Sequence, residues 1–317
     1  MSRIHEALKR AEQERVTGQP AQNSDPQAEH TVATRVVETA PPPPPSKLPQ
    51  AVLPHLSTAR IEAQPGSGPV QFDALWAKCK RTTWKPDLNT IVFENSDPFF
   101  PGAEQFRTLR SRLYRMRETQ PLQTILVSSA IPAEGKTVIS TNLAYALVRQ
   151  HGCRVLLIDA DLRSPRIHTL LGAPAAPGLA EYLQNTATEF DVTQRSGEEG
   201  FCFIPAGNHA KHPSELISSA RMKQFLERVR PAFDWIIIDS PPALPVADAS
   251  VLGGMVDGVL FVVRANSTPS AASQKACKEL RDAHLIGVVL NSAEESTGYN
   301  SYYSSSGYRN PPSGPKK

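Results

Sequence analysis

Gln123-Thr-Ile-Leu-Val-Ser-Ser129 runs directly into Ala130-Ile-Pro-Ala-Glu-Gly135-Lys136-Thr137, and Val138-Ile-Ser-Thr-Asn-Leu-Ala-Tyr-Ala-Leu147 follows. The first segment is an apolar run of strand length, and the last has the length and composition of a helix expected over 136–150. Between them lies a loop that ends in Gly-Lys-Thr. Backbone N–H groups of a loop so placed, with a helix N-terminus behind them, form a cradle for phosphate oxygens. The pattern strand–GxxxxGK[ST]–helix gives its lysine to the β- and γ-phosphates of a nucleotide and its hydroxyl to Mg²⁺. Here those residues are Lys136 and Thr137, and Pro132, Ala133, Glu134, Gly135 and Val138 complete the loop. Ala130 stands where the pattern has its first glycine, so the match rests on the strand before and the helix after.

Outward from this loop the rhythm of apolar runs and helical patterns continues. Strands are expected over 153–161, 200–207, 234–240, 258–264 and 286–291, with helices over 213–229 and 269–283. Strands built of continuous Ile/Leu/Val, separated by helices, indicate a mostly parallel sheet covered on both faces. The fold class is therefore α/β, a P-loop NTPase domain spanning 101–295. Two strands end on carboxylates, Leu156-Leu-Ile-Asp159-Ala-Asp161-Leu-Arg163 and Ile236-Ile-Ile-Asp239. Ligands bind at that edge of an open α/β sheet. Asp159, Asp161 and Asp239 beside a polyphosphate suit the outer shell of Mg²⁺, which keeps several waters, and one of them suits a proton acceptor. Asn291, ending the last strand, is placed to hydrogen-bond adenine or to cap its own loop. Asp248 in Val-Ala-Asp-Ala-Ser has the position of a helix N-cap.

Upstream, Glu104–Arg117 places Phe106, Leu109, Leu113 and Met116 on one helical stripe, with Arg107, Arg110, Arg112, Arg115 and Arg117 around it. Residues 1–16 carry a short helical pattern, with Ile4, Ala7, Leu8 and Ala11 on one side. Residues 17–100 read as a Pro-rich linker followed, from 71, by an extended arm whose Trp76, Trp84, Ile91, Val92 and Phe93 need a surface to pack on. Five consecutive prolines, Pro41–Pro45, favour polyproline II there. Residues 296–317 are rich in Ser, Gly and Tyr, the composition of a disordered tail. The net charge of +3 belongs wholly to this tail, which holds Arg309, Lys316 and Lys317 and no acidic residue.

Composition excludes several classes. No stretch reaches the roughly 18–20 apolar residues of a membrane helix, and the charged start MSRIHEALKR lacks the apolar core of a secretory signal. Cys79, Cys153, Cys202 and Cys277 show no metal-ligand spacing and read as thiols of a reducing compartment. A neutral body offers no basic face for nucleic acid. The expectation is a cytoplasmic protein.

The three nucleotide motifs together resemble those of the bacterial tyrosine kinases (BY-kinases) of capsule and exopolysaccharide systems, within the deviant Walker ATPases that include the partition ATPases. Ala130–Thr137 is similar to the family's Walker A, Leu156–Arg163 to its Walker A′ and Ile236–Asp239 to its Walker B. Glu104, Arg107 and Arg110 match its ExxRxxR motif, and Tyr299, Tyr302, Tyr303 and Tyr308 resemble its C-terminal tyrosine cluster. The resemblance implies a tyrosine autokinase using ATP and Mg²⁺, with one subunit phosphorylating the tail tyrosines of its neighbour. It implies that Lys136 meets the phosphates, Thr137 the Mg²⁺, and Asp161 and Asp239 the metal's water shell, with Asp159 as the base. It also implies a ring-like oligomer through Glu104, Arg107 and Arg110. The implied partner is a membrane polysaccharide co-polymerase, whose cytoplasmic activator segment holds the kinase at the inner face of the membrane. Two other readings compete, a partition-type ATPase switch and a degenerate nucleotide-binding scaffold. The switch normally carries a second lysine where Ile131 stands, and the scaffold draws on Ala133, which replaces the family's usual glycine.

Overall fold

The computed structural model describes residues 68–93 and 102–293. The helix expected near the N-terminus, the proline run and the tail tyrosines lie outside the described residues. All described residues belong to one unit that begins at Gly68. Its eight strands are β1 (Lys80–Arg81), β2 (Thr124–Ser129), β3 (Val155–Asp159), β4 (Gln194–Arg195), β5 (Phe201–Ile204), β6 (Trp235–Asp239), β7 (Gly258–Arg264) and β8 (Leu285–Asn291). They form a single sheet in the order β1-β4-β5-β3-β6-β2-β7-β8. Every pairing is parallel except that of β4 with β5.

The central strands are apolar on both sides because both sides are covered. Ile125, Val127, Val155, Leu157, Trp235 and Ile237 face one hydrophobic layer, and their alternates Leu126, Leu156, Ile158, Ile236 and Ile238 face the other. A helix has only one stripe to bury, so each layer takes its own set. After α1 (Phe72–Lys78) in the arm come α2 (Ala103–Arg117), α3 (Lys136–Val148) and α4 (Ile167–Leu171), which cover the first face. The second face takes α5 (Leu179–Leu183), α6 (Glu189–Val192), α7 (Pro213–Ile217), α8 (Ala220–Val229), α9 (Asp248–Gly253) and α10 (Ser270–Glu279). The stripe expected on α2 is the side that packs, with Phe106 and Leu113 buried and Leu109 and Met116 against them. Among the described residues, no helix is long and apolar enough to cross a membrane.

Three expectations need correction. The arm is not extended throughout, since α1 is helical and buries Leu75 in the second layer. It then adds β1 to the edge of the sheet beside β4, and sends Trp84, Ile91 and Phe93 into the first layer. Trp84 meets Phe201 and Phe203 edge-on at 5.5 and 6.0 Å between ring centroids. The helix expected over 213–229 is two helices. The chain breaks at Ser218–Ser219, where the Ser219 hydroxyl caps α8 by accepting the Met222 N–H at 3.3 Å. Asp248 is not the cap of α9; Ala247 holds that place, and the buried Asp248 carboxylate turns to Arg163 and Ser214 instead.

Candidate active site

The loop between β2 and α3 turns twice through left-handed backbone, at Ala133 (φ 65°) and Gly135 (φ 93°). Neighbouring elements hold it. The Glu134 carboxylate is buried, accepting the Ile131 N–H at 2.7 Å and the Thr268 hydroxyl. Asn291 Nδ2 donates to the Glu134 carbonyl at 2.8 Å, and Arg264 Nη1 to the Ala133 carbonyl at 3.3 Å. Thus Asn291 lies against the loop and is not a cap for its own strand end alone, although its Oδ1 also accepts the Ser292 N–H at 2.9 Å. Pro132 and Ala133 are exposed, while Gly135, Lys136, Thr137 and Val138 are half-buried. The arm braces α3 from outside: Asn142 accepts the Val92 N–H at 2.8 Å and donates to the carbonyls of Thr90 and Val138.

Ala133 is strained by its conformation. A left-handed L-residue costs roughly 1–2 kcal/mol, and glycine gives back about 0.5–1 kcal/mol through its freer unfolded chain. Ala133→Gly is therefore expected to stabilise the protein by up to about 1 kcal/mol, raising the thermal midpoint roughly 2–4 °C for a domain of this size. A lower midpoint in a calorimetric scan would contradict that strain.

Strand register assembles the carboxylates. β6 lies between β2 and β3, and Asp159 is the direct neighbour of Asp239 across β3 and β6. Asp159 is fully buried, accepting the Asp161 N–H at 3.2 Å on one oxygen and the N–H groups of Arg166 and Ile167 at 3.2 and 3.1 Å on the other. Burial, and then the Asp239 charge, push its carboxyl well above the usual carboxylate range, against the pull of those amides. Asp161 accepts the N–H groups of Arg163 and Ser164 on Oδ1, and its Oδ2 lies 3.4 Å from Lys136 Nζ. Asp239 is different. Both of its oxygens are buried and neither has a well-formed hydrogen bond among the described residues, although the hydroxyls of Thr137 and Ser140 stand close enough to favour its charged form. Burial pushes its carboxyl up to about 7, moderated by the Lys136 charge and the nearby Thr137 hydroxyl.

This arrangement fits a nucleotide phosphate with Mg²⁺. A buried carboxylate without a well-formed hydrogen bond is costly, and a cation nearby with its water shell would satisfy it. The oxygen set of Thr137, Asp161 and Asp239 suits Mg²⁺, which accepts one or two carboxylates and leans on substrate phosphates for the rest. The backbone at Gly135 has no side chain to block approach.

Other motif residues lie away from this centre. On α2, Arg107 pairs with Glu104 at 3.0 Å, both well exposed, so the pair contributes little. Arg110 turns inward and donates to the Ala146 carbonyl of α3 at 2.7 Å. Arg264 and Thr268, which hold the loop, went unnoticed in the sequence because they sit more than 125 residues from the atoms they bind.

A loop of this shape after the first core strand, with carboxylates ending the adjacent strand β6 and, next to it, β3, defines a P-loop nucleotide-binding domain. The family model for the AAA domain matches residues 123–269. The tyrosine-protein kinase YwqD of Bacillus subtilis (strain 168) is 33% identical over 202 residues, 63% of this chain and 85% of that kinase. The putative tyrosine-protein kinase EpsB of Ralstonia solanacearum is 33% identical over 211 residues, 65% of this chain but only 28% of EpsB. The solved kinase domain of the Escherichia coli tyrosine kinase ETK superposes with a TM-score of 0.62 at 30% identity, covering 73% of this chain and 89% of that domain. The chain belongs to the bacterial tyrosine-kinase family.

Proposed function

We propose that the chain is an ATP-dependent protein-tyrosine autokinase that phosphorylates Tyr299, Tyr302, Tyr303 and Tyr308 between subunits and so regulates polysaccharide polymerisation and export. The observation that carries this reading is the meeting of Lys136 and Asp161 at 3.4 Å beside the buried Asp239 carboxylate, which has no well-formed hydrogen bond, behind a phosphate-shaped loop. Phosphoryl transfer needs little covalent help from the protein, only positioning and charge. In this reading the loop amides and Lys136 hold the β- and γ-phosphates of ATP. Thr137, Asp161 and Asp239 hold Mg²⁺ directly or through its waters; when bound, the ion neutralises charge on the transferring group. Asp159 takes the phenolic proton, a task suited to a carboxyl with a raised proton affinity. The adenine lies toward Asn291. Neighbouring subunits supply the acceptor tail in a ring-like assembly through Glu104, Arg107 and Arg110. A membrane polysaccharide co-polymerase supplies the activating segment and keeps the kinase at the inner face of the membrane.

The test is incubation of the purified chain with γ-labelled ATP and Mg²⁺, with and without the cytoplasmic segment of the co-polymerase. The expected result is label on tyrosine that disappears when residues 296–317 are removed. Release of phosphate with no label on protein would replace this reading with an ATPase switch, and neither signal would leave a scaffold.

A further inference from the structure

Strand order gives the site a direction. β7 and β8 lie on one side of β2, and β6, β3 and β5 on the other. Asn291, on the proposed adenine side, ends β8; Lys136 points the opposite way, to Asp161 beyond β3. An acceptor attacks the terminal phosphoryl group in line with the leaving diphosphate, so it arrives over the ends of β3 and β5. Arg163 stands there. Its Nε donates to Asp248 Oδ2 at 3.0 Å and its Nη2 to the Ser214 hydroxyl at 2.7 Å, while Ser214 Oγ donates to Asp248 Oδ1 at 2.5 Å. The three residues come from the segments after β3, β5 and β6. Asp248 is 3% exposed in its side chain and Arg163 38%. A buried carboxylate thus fixes a guanidinium whose outer edge still faces solvent, with Nη1 left without a described partner.

We propose that Arg163 binds the acceptor: its guanidinium holds the phenolic oxygen of the incoming tyrosine, and Asp248 and Ser214 are its positioning residues. The assignment rests on the kinase reading above and names the acceptor side of that site. Asp159, Asp161 and Asp239 gather their carboxyls at the centre, and Lys136 is taken up by Asp161 and, in the proposed reading, by the phosphates. A phenol losing its proton there needs a cation of its own. In the transfer, the phenolic oxygen bonds to the γ-phosphorus and its proton passes to Asp159. The bond to the bridging oxygen breaks, and its electron pair leaves on ADP. A fixed positive charge beside the phenol lowers the cost of that proton loss, and a guanidinium then pairs well with the new phosphomonoester. Lysine cannot replace it fully, because one ammonium cannot reproduce a planar fork held at two points and open at a third.

The experiment uses the full chain with its four tail tyrosines changed to phenylalanine, a synthetic peptide of residues 296–310 as acceptor, and a fluorescent ATP analogue to read nucleotide affinity. Arg163→Gln is expected to lower kcat/KM for the peptide by about 30- to 100-fold while ATP affinity stays within threefold. Arg163→Lys should recover part of that loss, and Asp248→Asn should lose about tenfold in the same direction. Unchanged peptide kinetics in Arg163→Gln, or an equal loss of ATP affinity, would overturn the assignment and leave Arg163 as a staple between loops. If Arg163→Gln does not fold, the split between peptide KM and ATP affinity in Arg163→Lys decides the matter by the same criteria. With the cytoplasmic segment of the co-polymerase added, a parent chain that labels no peptide while binding ATP overturns the kinase reading itself, and the acceptor assignment falls with it.

Discussion

Gly135→Ala is expected to weaken ATP binding by about 30- to 150-fold and to abolish most tyrosine labelling, with the fold retained. Gly135 sits at φ 93°, and a Cβ built there would lie 2.0 Å from Asn291 Nδ2 and 3.2 Å from its Cγ. Asn291 is held where it is by its 2.8 Å bond to the Glu134 carbonyl. Moving it away forfeits that bond, worth roughly 0.5–1.5 kcal/mol. It leaves the left-handed backbone unrelieved, at roughly 1–2 kcal/mol for an L-residue. Together that is about 2–3 kcal/mol within a loop that already carries Ala133 in the same region. The loop escapes by relaxing out of its phosphate-binding shape, so the cost returns when a ligand must restore that shape. The core strands pack elsewhere, which is why the thermal midpoint should move little. Titration with a fluorescent ATP analogue reads the effect. Adding Asn291→Ala to this variant removes the obstacle but leaves the φ, and it also forfeits the Asn291 brace and its proposed place beside adenine, so recovery should be partial. ATP affinity within threefold of the parent chain would remove Gly135 from the binding cradle.

Much of the scaffold around that loop is legible in the chain itself. β7 has the bounds its apolar run predicts, and the ends of β2, β3 and β6 fall within a residue or two of expectation, because a strand buried on both faces has no polar alternate to blur it. What pattern cannot carry is structure that depends on a distant partner. β1 and β4 are two-residue strands made of Lys80, Arg81, Gln194 and Arg195, and nothing in that composition signals a ladder. Trp84, Ile91 and Phe93 announce burial, but the helix at Phe72–Lys78 before them depends on Leu75 finding the second layer. The site follows the same rule. Carboxylates at strand ends could be placed at the binding edge, and register then sets Asp159 against Asp239. The turn of Asp248 toward Arg163 spans 85 residues, so local sequence could offer only its resemblance to an N-cap. Ala133 stood out as a departure in a glycine loop, and its φ of 65° is the physical content of that departure.

Asp239→Asn is expected to make the ligand-free protein more heat-stable and the kinase at least about 100-fold slower. In the folded chain this carboxylate is buried with no well-formed hydrogen bond, beside Asp159 in register and close to Asp161, and the Lys136 charge and the nearby Thr137 and Ser140 hydroxyls offset its burial only in part. A buried charge without full compensation lowers stability by several kcal/mol, and a neutral amide of the same shape removes most of that penalty. A gain of about 1–3 kcal/mol corresponds to a rise of roughly 3–10 °C in the thermal midpoint. The gain has a pH signature. The folded-state value is raised from 3.8 to about 7, so the folded chain binds more protons than the unfolded one between those limits. The wild-type penalty is therefore absent near pH 4 and grows until about pH 7. Asn at this position should add little stability at pH 4 and its full increment above neutrality. Catalysis should move the other way under the proposed function, because the same carboxylate charge would hold the metal's water shell, and an amide cannot supply it. Denaturation curves of both proteins at pH 4 and pH 7.5, paired with tyrosine labelling at the higher pH, test the two halves together. A variant that is less stable at pH 7.5, or that labels tyrosine at the parent rate, would show that Asp239 has a compensating partner in solution and serves the fold instead of the metal.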